Sequence, residues 1–247
     1  MSLPERHPYG EARCQFGELL APGGEGPWPI AVVLHGGFWK AQYDCGLMRP
    51  LCADLAARGW AAFNVEYRRL GRVSGGGFPR TLDDVGAAVD HLALLAAHGD
   101  GLLDLERVVA IGHSAGGHLA TWLATRDDAR VRLTGVVSQA GVVDLRLGSE
   151  LGLSRGVVDR FVGGTPATAP ERYAAASPAE RLPLGVPLLL THGGRDEVVP
   201  AAMSERFAAA ALAAGDQVDL VIEPGEDHLG HLDPRNPLWR AVTAWLG

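Results

Sequence analysis

The sequence predicts an α/β fold built on a doubly wound, mostly parallel sheet with helices on both faces. Three observations lead there. Short apolar runs recur along the chain without alternating apolar and polar residues, as strands buried on both faces do. Stretches of helical periodicity lie between them. The two kinds of segment alternate at a regular pace, the signature of strand–helix–strand units. The chain has 247 residues, 47% of them hydrophobic, enough for one large core.

Taken in order, "CQFGELLAP" (14–22) reads as an antiparallel edge strand, and "IAVVL" (30–34) as the first buried parallel strand. Helical spacing runs from Leu47 to Arg58, and "WAAFNV" (60–65) is the next strand. "VSGGGFP" (73–79) is a flexible loop before a helix from Arg80 to His98; no G-x-G-x-x-G follows a strand, so a dinucleotide site has no support. "VVAI" (108–111) leads into a helix from Ala115 to Arg126, followed by "TGVVS" (134–138). From Gly141 to Pro187 the rhythm breaks: turn residues abound and at most one or two short helices are expected. This long segment is read as a lid-like insertion, or a pocket wall, within a single domain spanning 1–247. "VPLLL" (186–190), a helix from Ala201 to Ala214, "VDLVI" (218–222) and a helix from Pro237 to Leu246 complete the pattern.

The net charge of −7 argues against a nucleic-acid partner. Lys40 is the only lysine, and the arginines are scattered. Cys14, Cys45 and Cys52 are an odd set without paired spacing, which disfavours a disulfide framework, and no CxxC occurs. The polar N-terminus lacks a signal-peptide core, and no apolar run approaches membrane-spanning length. A cytoplasmic protein with a small-molecule partner is the expectation, as a monomer or a homodimer.

The chemistry-bearing stretch is "AIGHSAGGHLA" (110–120). Gly112-His113-Ser114-Ala115-Gly116 reads G-x-S-x-G between a strand and a helix, the context that exposes a serine hydroxyl on a strained turn. Alone, it could be a glycine-rich turn whose serine caps the helix. Three other segments weigh against that. "LHGGFW" (34–39) follows the first buried strand and offers backbone N–H groups to an oxyanion: Gly37 and Phe38, with Gly36 shaping the loop and Ala115 as the partner donor. "THGGRDEVVP" (191–200) places Asp196 just past a strand end, and "PGEDHLGHLDP" (224–234) places His228 at the matching point of the next. A serine hydroxyl needs a base, and the base needs a carboxylate to fix its tautomer. Ser114, Asp196, His228 is the chain order this architecture uses. Asp144 is an alternative acid and His231 an alternative base; Asp227, beside His228, is poorly placed to orient it. His35, His113, His118 and His192 read as hydrogen-bonded packing around the site. No H-x-x-x-H or HExxH pair supports a metal.

With these motifs, the chain resembles an α/β-hydrolase-fold serine hydrolase from about Ala31 to Leu246. "HGGFW" with "GHSAGG" is similar to the esterase–lipase group and, more narrowly, to the kynurenine formamidase-like branch with its HGGxW motif. "DEVVP" and "DHLGHLDP" resemble the acid and base segments of that branch and of prolyl-oligopeptidase-like esterases. The resemblance implies an eight-stranded sheet, no cofactor, Ser114, Asp196 and His228 as the catalytic triad, and an oxyanion hole at Gly37, Phe38 and Ala115. Trp39 and His113 are substrate-pocket candidates, with packing beneath the oxyanion loop as the other role open to Trp39. Glu66 with Arg68 or Arg69, in "VEYRR" (65–69), reads as a structural ion pair. The early position of HGG leaves little room for N-terminal cap helices and favours an open pocket. The expected activity is hydrolysis of short acyl esters. Aryl formamides of the N-formylkynurenine type are the alternative substrates, and a non-catalytic receptor on the same fold is the alternative function.

Overall fold

The computed structural model describes residues 4–71, 73–98 and 102–247. Eight strands form one sheet: β1 (Glu5–Pro8), β2 (Phe16–Leu20), β3 (Trp28–Leu34), β4 (Ala61–Glu66), β5 (Leu103–His113), β6 (Gly135–Gln139), β7 (Leu188–Gly193) and β8 (Val218–Glu223). Their spatial order is β1-β2-β4-β3-β5-β6-β7-β8. β1 and β2 pair antiparallel, as do β2 and β4; every pairing from β4 through β8 is parallel. The helices are α1 (Arg49–Ala57), α2 (Arg80–His98), α3 (Ala115–Leu123), α4 (Leu145–Glu150), α5 (Leu153–Val162), α6 (Pro170–Ala176), α7 (Ala202–Ala214) and α8 (Pro237–Leu246).

The apolar runs form strands because both faces of the sheet are covered. Along β3, Ile30, Val32 and Leu34 enter one core with residues of α2, α3 and α7, while Ala31 and Val33 enter the other with α1 and α8. Val108 and Ala110 of β5 divide from Val109 and Ile111 in the same way. A period of two thus sorts an unbroken apolar run between two cores.

Three expectations need correction. The segment at 14–22 is antiparallel, as expected, but is not the edge: β1 lies outside it. Glu5–Pro8 is short, charged and largely exposed, the form in which edge strands escape both pairing with other chains and detection by hydrophobicity. The segment 141–187 holds three α-helices and a 3-10 turn at Pro178–Glu180, rather than one or two helices. Their periodicity is hidden by length and by a left-handed stretch at Ser154 (φ 45°), Arg155 (φ 62°) and Gly156 (φ 72°) at the start of α5. β5 is also longer than the apolar core of its sequence, because Trp28 and Pro29 pair with Leu103 and Asp104 beyond a register shift.

The segment 141–187 is tied to the body of the protein. His118 Nε2 and Trp122 Nε1 of α3 donate to the carbonyls of Ala176 and Ala175, and Phe78 N donates to Phe161 O. Among the described residues no helix is long and apolar enough to cross a membrane.

Phe63 on β4 is wholly buried against the glycine side of β2, where any side chain at Gly17 would strike its ring. Phe63→Ala should cost about 3–5 kcal/mol, read from urea unfolding; a loss below about 1 kcal/mol would show that this part of the sheet repacks freely.

Candidate active site

The parallel register brings the C-terminal ends of β3, β5, β7 and β8 to one edge of the sheet, with β6 between β5 and β7, and the four sequence motifs follow those ends. Ser114 sits between β5 and α3 at φ 57°, ψ −117°. Such a conformation costs a non-glycine residue about 1–3 kcal/mol unless its surroundings enforce it. They do: Ser114 N donates to Gln139 O at 2.7 Å, and Ser114 O accepts from His118 N and Val142 N. The flanking glycines permit the turn. A Cβ at Gly112 would lie 2.0 Å from Gly116 O, and one at Gly116 would lie 2.0 Å from Leu34 O, at the end of β3.

The HGG loop follows β3 directly. A Cβ at Gly36 would lie 3.0 Å from Ser114 Cβ, so the loop backbone rests on the serine turn. Gly37, Phe38 and Trp39 are all left-handed, at φ 103°, 51° and 54°. Among the described residues, the N–H groups of Gly37, Phe38 and Ala115 donate to no protein acceptor. Trp39 has no exposed surface; it stacks on Phe161 (centroids 4.3 Å apart) and meets His118 edge-on. Of its two sequence-level roles, this is the packing one.

Glu66 supports the loop from below. Its Oε1 lies 3.2 Å from His35 Nε2 and 3.3 Å from Arg69 Nε and accepts from Tyr67 N, while its Oε2 accepts from Cys45 N. Tyr67 stacks flat on His35 and donates its hydroxyl proton to His35 O. The ion pair read from the sequence is therefore with Arg69; Arg68 instead binds Asp84.

Asp196 and His228 meet at the ends of β7 and β8. His228 Nδ1–H donates to Asp196 Oδ2 at 2.6 Å, and the neutral ring then carries a bare Nε2. The other carboxylate oxygen accepts from Val198 N and Val199 N, and His192 Nε2 lies 3.2 Å from Oδ2. Burial works to raise the Asp196 carboxyl, but the hydrogen bonds from His192 and His228 and the attraction of His228 outweigh it and hold the group well below the usual carboxylate range. His192 donates to Val199 O through Nε2 and accepts from Ser204 at Nδ1. Its contact with the carboxylate was not foreseen; the i, i+4 spacing from His192 to Asp196 was its only trace in the sequence.

The competing residues are engaged elsewhere. Asp144 caps α4 by accepting from Leu147 N, and Asp227 closes a turn by accepting from Leu229 N and Gly230 N. His231 is buried beneath the site, its Nδ1 3.4 Å from Thr191 Oγ1. His113, the second pocket candidate, is 3% exposed and donates through Nε2 to the main-chain oxygen of His228 at 2.9 Å. Ser114 Oγ makes no hydrogen bond to His228 among the described contacts; bonds of this kind are commonly long without substrate and tighten on binding. Burial, then the neighbouring His228, pushes His113 down to about 3, and burial pushes His118 down to about 4 and His231 well below its ordinary value. An open cleft of about 430 Å³ borders the site, lined by Arg195, Glu197, Val198, Asp227, His228 and Leu229. No group of three His, Cys, Asp or Glu side chains among the described residues could hold a metal ion.

Because the folded Asp196 carboxyl is depressed, its contribution to stability is complete above the unfolded value of about 3.9 and fades as pH falls through the folded one. The stability advantage of the native chain over Asp196→Asn, read from urea unfolding, should therefore shrink between pH 5 and pH 2.5. An advantage that is constant or grows on acidification would contradict this electrostatic account.

Comparison with known proteins agrees with this architecture. Over 229 residues the chain is 28% identical to a putative carboxymethylenebutenolidase of Methylorubrum extorquens, covering 92% of this chain and 71% of the relative. It is 26% identical to esterase LipQ of Mycobacterium tuberculosis, covering 79% of this chain but 48% of LipQ. The chain thus spans about half the length of the second relative. The Est2 esterase of Thermogutta terrifontis, with butyrate bound, superposes with a TM-score of 0.77 at 23% identity, over 98% of this chain and 91% of that one. The fold is that of the α/β-hydrolase esterases, with an eight-stranded, mostly parallel sheet. The narrower formamidase-like branch is not what these comparisons name: residues 19–211 match BD-FAE, and the chain belongs to that family.

Proposed function

We propose that the protein is a serine carboxylesterase acting on small acyl esters. One observation carries the reading: the 2.6 Å bond from His228 Nδ1 to an Asp196 carboxylate whose other acceptor positions are already filled. That bond fixes the imidazole tautomer with the lone pair on Nε2, the atom that a serine proton must reach.

In this reading Ser114 Oγ attacks the ester carbonyl carbon while its proton passes to His228 Nε2. The carbonyl oxygen becomes an oxyanion facing the N–H groups of Gly37, Phe38 and Ala115, with Gly36 shaping the approach. Loss of one such donor typically costs about 2.7–4 kcal/mol in the transition state. As the C–O bond breaks, the alcohol leaves with the proton from His228, giving an acyl-serine. Water then gives a proton to His228 and attacks the acyl carbon; collapse releases the acid and returns the proton to Ser114. Asp196 stays ionised throughout and stabilises the imidazolium.

The relatives' names support ester cleavage, and the butyrate bound to the Thermogutta enzyme is the product of a short acyl ester. The aryl-formamide alternative rests on HGGFW, whose distinguishing Trp39 lies in the core with no exposed surface. The receptor alternative has no missing triad position to recommend it.

A fluorophosphonate probe should label the native chain and fail to label Ser114→Ala, and p-nitrophenyl acetate and butyrate should be turned over faster than an aryl formamide. Labelling that persists in Ser114→Ala would overturn the assignment of the nucleophile, and preference for the formamide would overturn the substrate class.

A further inference from the structure

We propose that His113 is a positioning residue: its Nε2–H, donated to the main-chain oxygen of His228, locks the base-bearing loop to the serine turn and so aims the imidazole of His228. The inference rests on the reading of Ser114 and His228 given above, and adds to it a residue that contacts neither the substrate nor the reacting atoms.

Three pieces of chain meet at this one ring. His113 is the last residue of β5 and is joined covalently to Ser114. Its Nε2 is 2.9 Å from His228 O, and its ring centroid is 4.6 Å from that of His228, tilted by 50°. On the oxyanion side, a Cβ at Gly36 would lie 2.9 Å from His113 Nδ1, so the ring also backs the HGG loop. Because a carbonyl oxygen only accepts, Nε2 carries the hydrogen and Nδ1 is bare; Nδ1 has no protein partner among the described residues. Burial favours the uncharged ring, which keeps this tautomer through the working pH range.

Residue 228 has two ties to the rest of the fold. Its side chain is bound to Asp196 and its carbonyl to His113. The neighbouring bonds of Asp227 to Leu229 N and Gly230 N brace the loop only against itself. Arg195 N and Asn236 Nδ2 also hold the loop, through the Glu226 carbonyl and carboxylate, but two residues before the imidazole. The second tie, one peptide away, fixes where Nε2 points. Displacement of a reacting group by about 1 Å can cost on the order of 10²-fold in rate. The role calls for a side chain that reaches His228 O with an N–H donor at its far end, which neither leucine nor phenylalanine offers.

The test compares His113→Phe and His113→Gln in the full chain, with p-nitrophenyl butyrate as substrate and a fluorophosphonate as the serine probe. In His113→Phe, kcat should fall on the order of 10²-fold while KM changes by less than about threefold, and the labelling rate should fall in parallel. His113→Gln, which keeps an N–H donor, should recover most of that loss. Wild-type kcat and labelling in His113→Phe would overturn the proposal, as would equal loss in both variants. If neither variant folds, long-range ¹H–¹⁵N spectra of the native chain decide. They should show a neutral His113 with the proton on Nε2 from pH 5 to pH 9; a proton on Nδ1 or a charged ring would refute it. Ser114→Ala separates the two readings: turnover surviving in that variant would refute the reading on which this one rests, whereas failure of the His113 variants alone would refute the positioning role and leave Ser114 as nucleophile.

Discussion

The site depends on one steric constraint: three backbones converge where β3 and β5 end and α3 begins. Gly112, Gly116 and Leu34 lie so close that no Cβ fits at either glycine. This forces Ser114 into a left-handed conformation that would otherwise be avoided. The same approach sets the oxyanion loop on the serine turn, because Leu34 is followed at once by His35 and Gly36. The proposed nucleophile and oxyanion donors are thereby positioned by packing among main chains, which has few soft degrees of freedom. The apolar cores on both faces of the sheet supply the stability against which that strain is maintained.

A second constraint is electrostatic. Asp196 is the carboxylate bound to His228, and the acceptor positions it turns inward are satisfied, so it stays ionised with its side chain buried. His113, His118 and His231 are kept neutral by burial. The consequence is functional. A cation at His113, 4.6 Å from His228, would oppose the imidazolium that acyl transfer must form. Neutral neighbours donate and accept hydrogen bonds without that penalty, so in the proposed reading a site rich in histidine can use His228 as its base.

Much of this was legible in the sequence because it is local. The glycines around Ser114, the pair after Leu34, and the single acid and histidine just past two strand ends each declare themselves within ten residues. The unbroken apolar runs located the parallel strands because a sheet covered on both faces needs them. What escaped was either weakly hydrophobic or long-range. Glu5–Pro8 has too little apolar character to be seen, although pairing with β2 makes it a strand. The three helices of 141–187 are shorter than the window in which periodicity shows, and left-handed residues interrupt α5. Glu66 could be read as half of an ion pair, but its hold on His35 and Cys45 exists only once β4 lies beside β3. His113 was seen as a candidate, yet its bond to His228 spans 115 residues and no local pattern encodes it.

The contacts of the oxyanion loop also bear on how substrate enters. Three consecutive left-handed residues, two of them aromatic, do not hold that shape unaided. Glu66, His35 and Tyr67 hold the loop from the sheet side, and Arg69 binds the carbonyl of Tyr43, whose ring fills the space beside Gly37. From the other side the segment 141–187 completes the support: Phe161 stacks on Trp39, and Lys40 donates to Ser154 in the left-handed start of α5. A lid that swung α5 away would pull Phe161 from Trp39 and release the residues that present the Gly37 and Phe38 N–H groups. An opening motion there would dismantle the proposed oxyanion hole it was meant to uncover. We therefore read α5 as a fixed wall, with access from the open cleft beside His228, where Val198 and Leu229 expose apolar surface. In that arrangement the insertion earns its place by keeping strained backbone in register, and substrate exchange needs no change in the catalytic geometry.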